Sequence, residues 1–121
     1  MLTLPASVKV FLCLVPIDMR LSFDRLSALA GETHGLDPLS GHLFVFFSRR
    51  RDRVKILYWD RDGMALWYKR LEAGTFPFPS PVGSNSLSVT PAELSMLLDG
   101  VNPATVARRR RFTVKNPQKI Q

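Results

Sequence analysis

Two groups of side chains in this sequence are of types that do chemistry. The first is acidic: Asp18, Asp60 and Asp62, with His42, are the residue types that hold divalent metal for phosphoryl transfer. That chemistry needs several carboxylates converging at one point. The second is basic: Arg49, Arg50, Arg51, Arg53 and Lys55 fall within seven residues and are opposed locally only by Asp52. Such a cluster suits phosphate oxygens and guanine edges, because guanidinium presents a planar fork of donors.

The acidic group has a simpler explanation. Asp60 and Asp62 flank a turn before Gly63, where aspartate is favoured for local hydrogen bonds. His42 opens a strand after Gly41, and His34 stands in a loop with no evident partner. CxxC, HExxH, GxxxxGK and GxSxG patterns are all absent. The expectation is a protein that is not an enzyme and uses neither metal nor cofactor nor small-molecule substrate.

The elements that would present the basic group follow from periodicity. His42–Ser48 (HLFVFFS) and Arg53–Trp59 (RVKILYW) are rich in β-branched and aromatic residues and are separated by RRRD, which predicts a β-hairpin with a basic tip. Upstream, Val8, Val10, Leu12 and Leu14 alternate with Lys9, Phe11 and Cys13, a strand that Pro16 should end. Ser22 is a candidate N-cap for a short helix over 23–30, with Gly31 as its stop, and 32–41 reads as loop. Beyond the hairpin, Met64, Trp67, Tyr68 and Leu71 fall at i, i+3, i+4 and i+7, with Gly74 at the C′ position. This spacing predicts a helix over 64–73, with Lys69 and Arg70 on its exposed side.

Residues 75–89 hold Pro77, Pro79, Pro81 and Gly83 and read as loop, with a brief pairing to the sheet through Phe76 and Phe78. Thr90, Pro91 and Glu93 form a capping box with proline at N1, opening a helix whose stripe is Leu94, Leu97, Leu98 and Val101.

Composition narrows the class. A chain of 121 residues, 45% apolar, has the length of one domain, and no run of it approaches the ~18–20 apolar residues of a membrane span. The apolar start lacks a basic n-region and is broken by Pro5, Lys9 and Pro16, so it is read as strand rather than signal peptide. The single cysteine, Cys13, is expected to act as a small core hydrophobe in a reducing compartment, the bacterial cytoplasm. The net charge of +7 is concentrated: residues 108–121 carry six basic groups and no acid, whereas 1–107 carry 11 basic against 10 acidic. A nearly neutral body with a basic tail and a basic tip calls for a polyanion, nucleic acid before membrane.

Three stretches carry a family resemblance: PIDMR with SFD (16–20, 22–24), DPLSGHLFVF (37–46), and DRVKILYWDRDG with LWYKRLEAGTF (52–63, 66–76). In these the chain resembles the small TnpB-type accessory proteins encoded by the second reading frame of insertion-sequence-66 family transposable elements. The resemblance covers most of residues 1–100. It implies an accessory role beside a separately encoded transposase and supplies no catalytic residues to transfer. Relatives typically read SFDGL where this chain has Arg25, and asparagine and glycine near the tip where it has Ser48 and Arg51.

Residue pattern and resemblance together predict an α+β domain over 1–101. Its small antiparallel sheet, with the basic-tipped hairpin, is packed by two to three short helices, and a basic tail, expected from its composition to be disordered, follows over 102–121. DNA is the expected partner, contacted by Arg49, Arg50, Arg51, Arg53, Lys55, Lys69, Arg70, Arg108, Arg109, Arg110 and Arg111. The alternative is an adaptor that binds the element's transposase through an aromatic surface drawn from the exposed parts of Trp59, Trp67, Tyr68, Phe76 and Phe78, with Trp59, Phe76 and Phe78 as its contacts. Oligomeric state is left open by the sequence, since an edge strand can pair with a second copy.

Overall fold

The computed structural model describes residues 7–77 and 83–101. In chain order its elements are β1 (Val10–Ile17), α1 (Phe23–His34), a 3-10 turn (Pro38–Ser40), β2 (Leu43–Ser48), β3 (Arg53–Asp60), β4 (Gly63–Arg70), β5 (Ser86–Val89) and α2 (Pro91–Leu98). The strands form one five-stranded sheet in the order β4-β3-β2-β1-β5.

The α+β class stands, with two α-helices and one 3-10 turn against the sheet. The sheet is mixed rather than wholly antiparallel, because β1 and β2 run parallel. Parallel neighbours need a crossover connection, and α1 provides it. Every residue of β2 is buried, as expected of a strand flanked on both edges and covered on both faces. Val10, Leu12, Leu43, Val45, Val54 and Ile56 pack on one face with Leu94 and Leu97 of α2. Cys13, Phe44, Phe46 and Leu57 pack on the other with Leu26 and Ala30 of α1. Each fully buried Leu or Phe contributes ~1.5–3 kcal/mol.

Several elements differ from the sequence expectation. β1 continues through Pro16 to Ile17, with an irregularity in its pairing to β2 between Cys13 and Ile17. α1 passes through Gly31 and ends at Gly35, whose left-handed φ of 64° suits a residue without Cβ. Ser22 occupies the N-cap position without a side-chain cap bond.

The expected helix over 64–73 is strand β4. Arg61 and Asp62 form the two-residue loop of a second hairpin, and β4 pairs with β3 from Asp60↔Gly63 to Arg53↔Arg70. The run is apolar at most positions, so it satisfies helical and strand periods together. Its side chains divide between the two faces: Met64 and Leu66 pack with the α1 cluster, Trp67 with the α2 cluster. β5, expected to be loop, pairs antiparallel with β1. The capping box at α2 is present: Glu93 N–H donates to Thr90 Oγ1 (3.1 Å) and Thr90 N–H to Glu93 Oε1 (2.9 Å).

Candidate nucleic-acid interface

The RRRD tip joins β2 to β3, and its neighbours follow from sheet register. The Ile17 end of β1 pairs with Ser48, and Arg70 at the end of β4 pairs with Arg53. The tip, the β1–α1 loop and the start of the 71–77 segment therefore share one end of the sheet.

This tip is tied down. The Leu71 amide donates to the Asp52 carbonyl and the Phe76 amide to the Arg51 carbonyl, each at 2.7 Å. Ser48 Oγ donates to Asp52 Oδ1 (3.1 Å) and accepts from the Arg53 amide (3.1 Å). Arg51 sits at φ 61°, a left-handed conformation in which a side chain costs ~1–2 kcal/mol. Segment 71–77 thus forms a strap across the tip, anchored where Phe76 packs near Phe47 with ring centroids 6.2 Å apart.

Arg49, Arg50 and Arg51 are exposed on the tip and Arg53 is half-buried. Arg49, Arg50 and Arg53 line an open cleft of about 220 Å³ with Ile17, Met19, Ser48 and Asp52. Arg53 and Arg70 stand directly opposite each other on neighbouring strands, a like-charge pairing that is destabilising by itself. Arg70 is partly compensated by Glu72 (3.1 Å), and Arg53 reaches the Tyr68 hydroxyl at 3.5 Å. Both Arg70 and Lys69 are exposed, but on a strand they fall to opposite faces.

Two expected site residues lie elsewhere. Lys55 is 6% exposed, and its Nζ donates to the carbonyls of Met19 (2.6 Å) and Leu21 (2.7 Å). It also lies 4.8 Å from the centroid of the Tyr68 ring. It fastens the β1–α1 loop to the sheet and is not placed to meet a phosphate. Phe76, expected on an exposed aromatic surface, is 1% exposed in the core. Trp59 is half-buried, while Phe78 and Arg108–Arg111 lie outside the described residues.

The acidic group does not assemble. Asp18 is exposed and bound to Arg20, whose guanidinium donates to Oδ2 at 2.6 Å and whose amide donates to Oδ1 at 2.9 Å. These bonds lower the Asp18 pKa to about 2. Asp60 and Asp62 sit at the loop joining β3 to β4, and His42 Nδ1 accepts from the Lys9 amide (3.1 Å). Among the described residues no group of three or more His, Cys, Asp or Glu side chains could hold a metal ion. No helix among them is long and apolar enough to cross a membrane. Burial raises the pKa of the Cys13 thiol.

Residues 8–108 match the family described as IS66 Orf2 like protein. The chain belongs to that family. The chain is 38% identical over 113 residues to y4jC of Sinorhizobium fredii (strain NBRC 101917 / NGR234), spanning 93% of each chain. It is 38% identical over 96 residues to y4hO of the same organism, spanning 79% of this chain and 83% of that one. Both relatives are described as uncharacterized proteins. No solved structure matches. The IS66 Orf2-like assignment points to an accessory role in transposition and is not that of a known catalytic family.

The sequence pattern set Tyr68 of this IS66 Orf2-like protein in a helical stripe, among the aromatic candidates for a partner surface and mainly toward the core, and did not bring it beside the basic group. As a strand residue it is 47% exposed beside Arg53 and Arg70.

Proposed function

We propose that this IS66 Orf2-like protein assists transposition without catalysis, by contacting DNA through the basic end of its sheet. The observation that carries this reading is the direct opposition of Arg53 and Arg70, with Arg49 and Arg50 lining one cleft together with Arg53. Like charges held in register cost stability, and a phosphate placed between them turns that cost into binding energy. The described chain ends at Val101, just past Gly100, which lines a second depression with Lys69, Gly74 and Phe76 of this same end. Arg108–Arg111 follow from there in sequence. Tip and tail would then reach one stretch of backbone.

The test is fluorescence anisotropy on labelled element-end and scrambled duplexes across a salt series. It compares the full chain, Arg49→Ala with Arg50→Ala, and a full-length variant with serine at 108–111. For every phosphate that the protein no longer neutralises, the slope of log K against log salt should flatten by about 1. The tip pair should therefore flatten it by about 2 and the tail variant by about 4. Tip substitutions that leave affinity and slope unchanged would refute a DNA contact by the domain. Binding would then rest on the tail, and the transposase would become the partner to seek.

A further inference from the structure

We infer that the basic end of the sheet holds an unpaired DNA strand, with Tyr68 as the stacking platform for a base and Arg53 and Arg70 as the clamps on flanking phosphates. This rests on the DNA-contact reading above and names the form of DNA that the site takes.

The Tyr68 ring is fixed rather than loose. The buried Lys55 ammonium lies 4.8 Å from its centroid and so takes one face, and Arg53 Nη1 reaches its hydroxyl at 3.5 Å. A ring so held that remains 47% exposed presents its other face to solvent. Exposed aromatic rings fixed beside arginines on a sheet surface are the elements of single-strand recognition, because every base has a π-face and stacking on it is tolerant of sequence. A base in the interior of a duplex has both faces covered by its neighbours and cannot stack on Tyr68, and a blunt duplex offers a face only at its two ends. An unpaired base can stack there.

The adjoining cleft agrees with this division of labour. It is lined by the apolar Ile17 and Met19, by the basic Arg49, Arg50 and Arg53, and by Ser48 and Asp52, whose carboxylate accepts from Ser48 Oγ. A carboxylate repels a phosphate but accepts from the exocyclic amine of a base. The cleft thus suits a base with phosphates held by its arginines, and its 220 Å³ admits no more than part of one strand.

The experiment measures anisotropy with the full chain on a single strand, on its blunt duplex, and on the same strand with abasic sites. Tyr68→Leu keeps the packing over Lys55 and removes the π-face; Tyr68→Phe keeps the face and removes the hydroxyl. The leucine variant is expected to lose about ten-fold or more on the single strand, at most about two-fold on the duplex, whose open faces are its two ends, and nothing on the abasic strand. The phenylalanine variant should stay within a factor of about two. Unchanged single-strand affinity in a Tyr68→Leu variant that is folded at the assay temperature overturns the inference while leaving duplex contact intact. An equal loss on the abasic strand also overturns it, since the ring would then act on the backbone. Failure of the parent to bind any of the three forms sinks this inference and the DNA-contact reading together.

Discussion

Lys55→Met separates two roles that a lysine at this position could have. Methionine keeps the apolar stem and fills similar space, so the change is confined to the ammonium. That group makes two hydrogen bonds to carbonyls, at 2.6 and 2.7 Å, and a cation–π contact with Tyr68. Hydrogen bonds from a charged donor are worth ~1.5–3 kcal/mol each, and the ring contact adds ~0.5–1 kcal/mol. Methionine is spared the cost of desolvating a charge, and water can reach the loop at the half-buried Met19. Those two offsets bring the expected loss to ~2–4 kcal/mol, a large share of the ~5–15 kcal/mol that holds a domain of this size. In urea, with a slope of ~1–3 kcal/mol/M, the midpoint should fall by ~1–2 M. The salt slope for DNA should not change. A midpoint within ~0.3 M of the parent, together with a slope flattened by about 1, would show that Lys55 meets phosphate and would refute its role as a fastener.

Three further outcomes are expected. Arg51→Gly removes a side chain from a left-handed φ of 61°; after the entropy cost of glycine the gain should be ~0.5 kcal/mol, read as a rise of a few degrees in Tm, while DNA affinity falls. Thr90→Ala removes half of the capping box and should cost ~1 kcal/mol in urea unfolding. Asp18 should titrate at about 2 by carboxyl NMR, and Arg20→Gln should return it toward 3.8. The folded pKa is depressed, so the stabilisation by this pair is complete above the unfolded value and is lost as pH falls through the interval down to about 2.

The legible parts of the sequence were those where one signal had one structural solution. Runs of β-branched and aromatic residues on either side of RRRD give β2 and β3, and Thr90-Pro91 with Glu93 gives the start of α2. Gly63–Arg70 was not legible because almost every position is apolar or aromatic: the helical stripe and the strand alternation are both satisfied, and the β3 edge decides between them. β5 is a four-residue, serine-containing edge strand with only Val89 buried, so its pattern is too short to stand out. At the site, the tip arginines were readable as exposed charge. Lys55 was not, because an alternating lysine looks like surface until β4 closes the other side of β3. Its signal was present all the same, since a lysine between Val54 and Ile56 in an interior strand must find acceptors.

The burial of Phe76 changes what an aromatic residue contributes to this surface. Exposed, it would be an anchor for a partner; buried beside Phe47, it anchors the strap whose amides at 71 and 76 hold the carbonyls of Asp52 and Arg51. A free hairpin end carrying three arginines would have to be ordered by its ligand, at a cost in conformational entropy for each residue fixed. Here the strap, the Ser48 bridge and the left-handed Arg51 have ordered it already. Under the proposed function, the binding energy of the arginines would then go to the ligand rather than to ordering the loop. The loop tolerates a strained arginine where glycine would be easier, because the strap and the folded core hold the backbone in place.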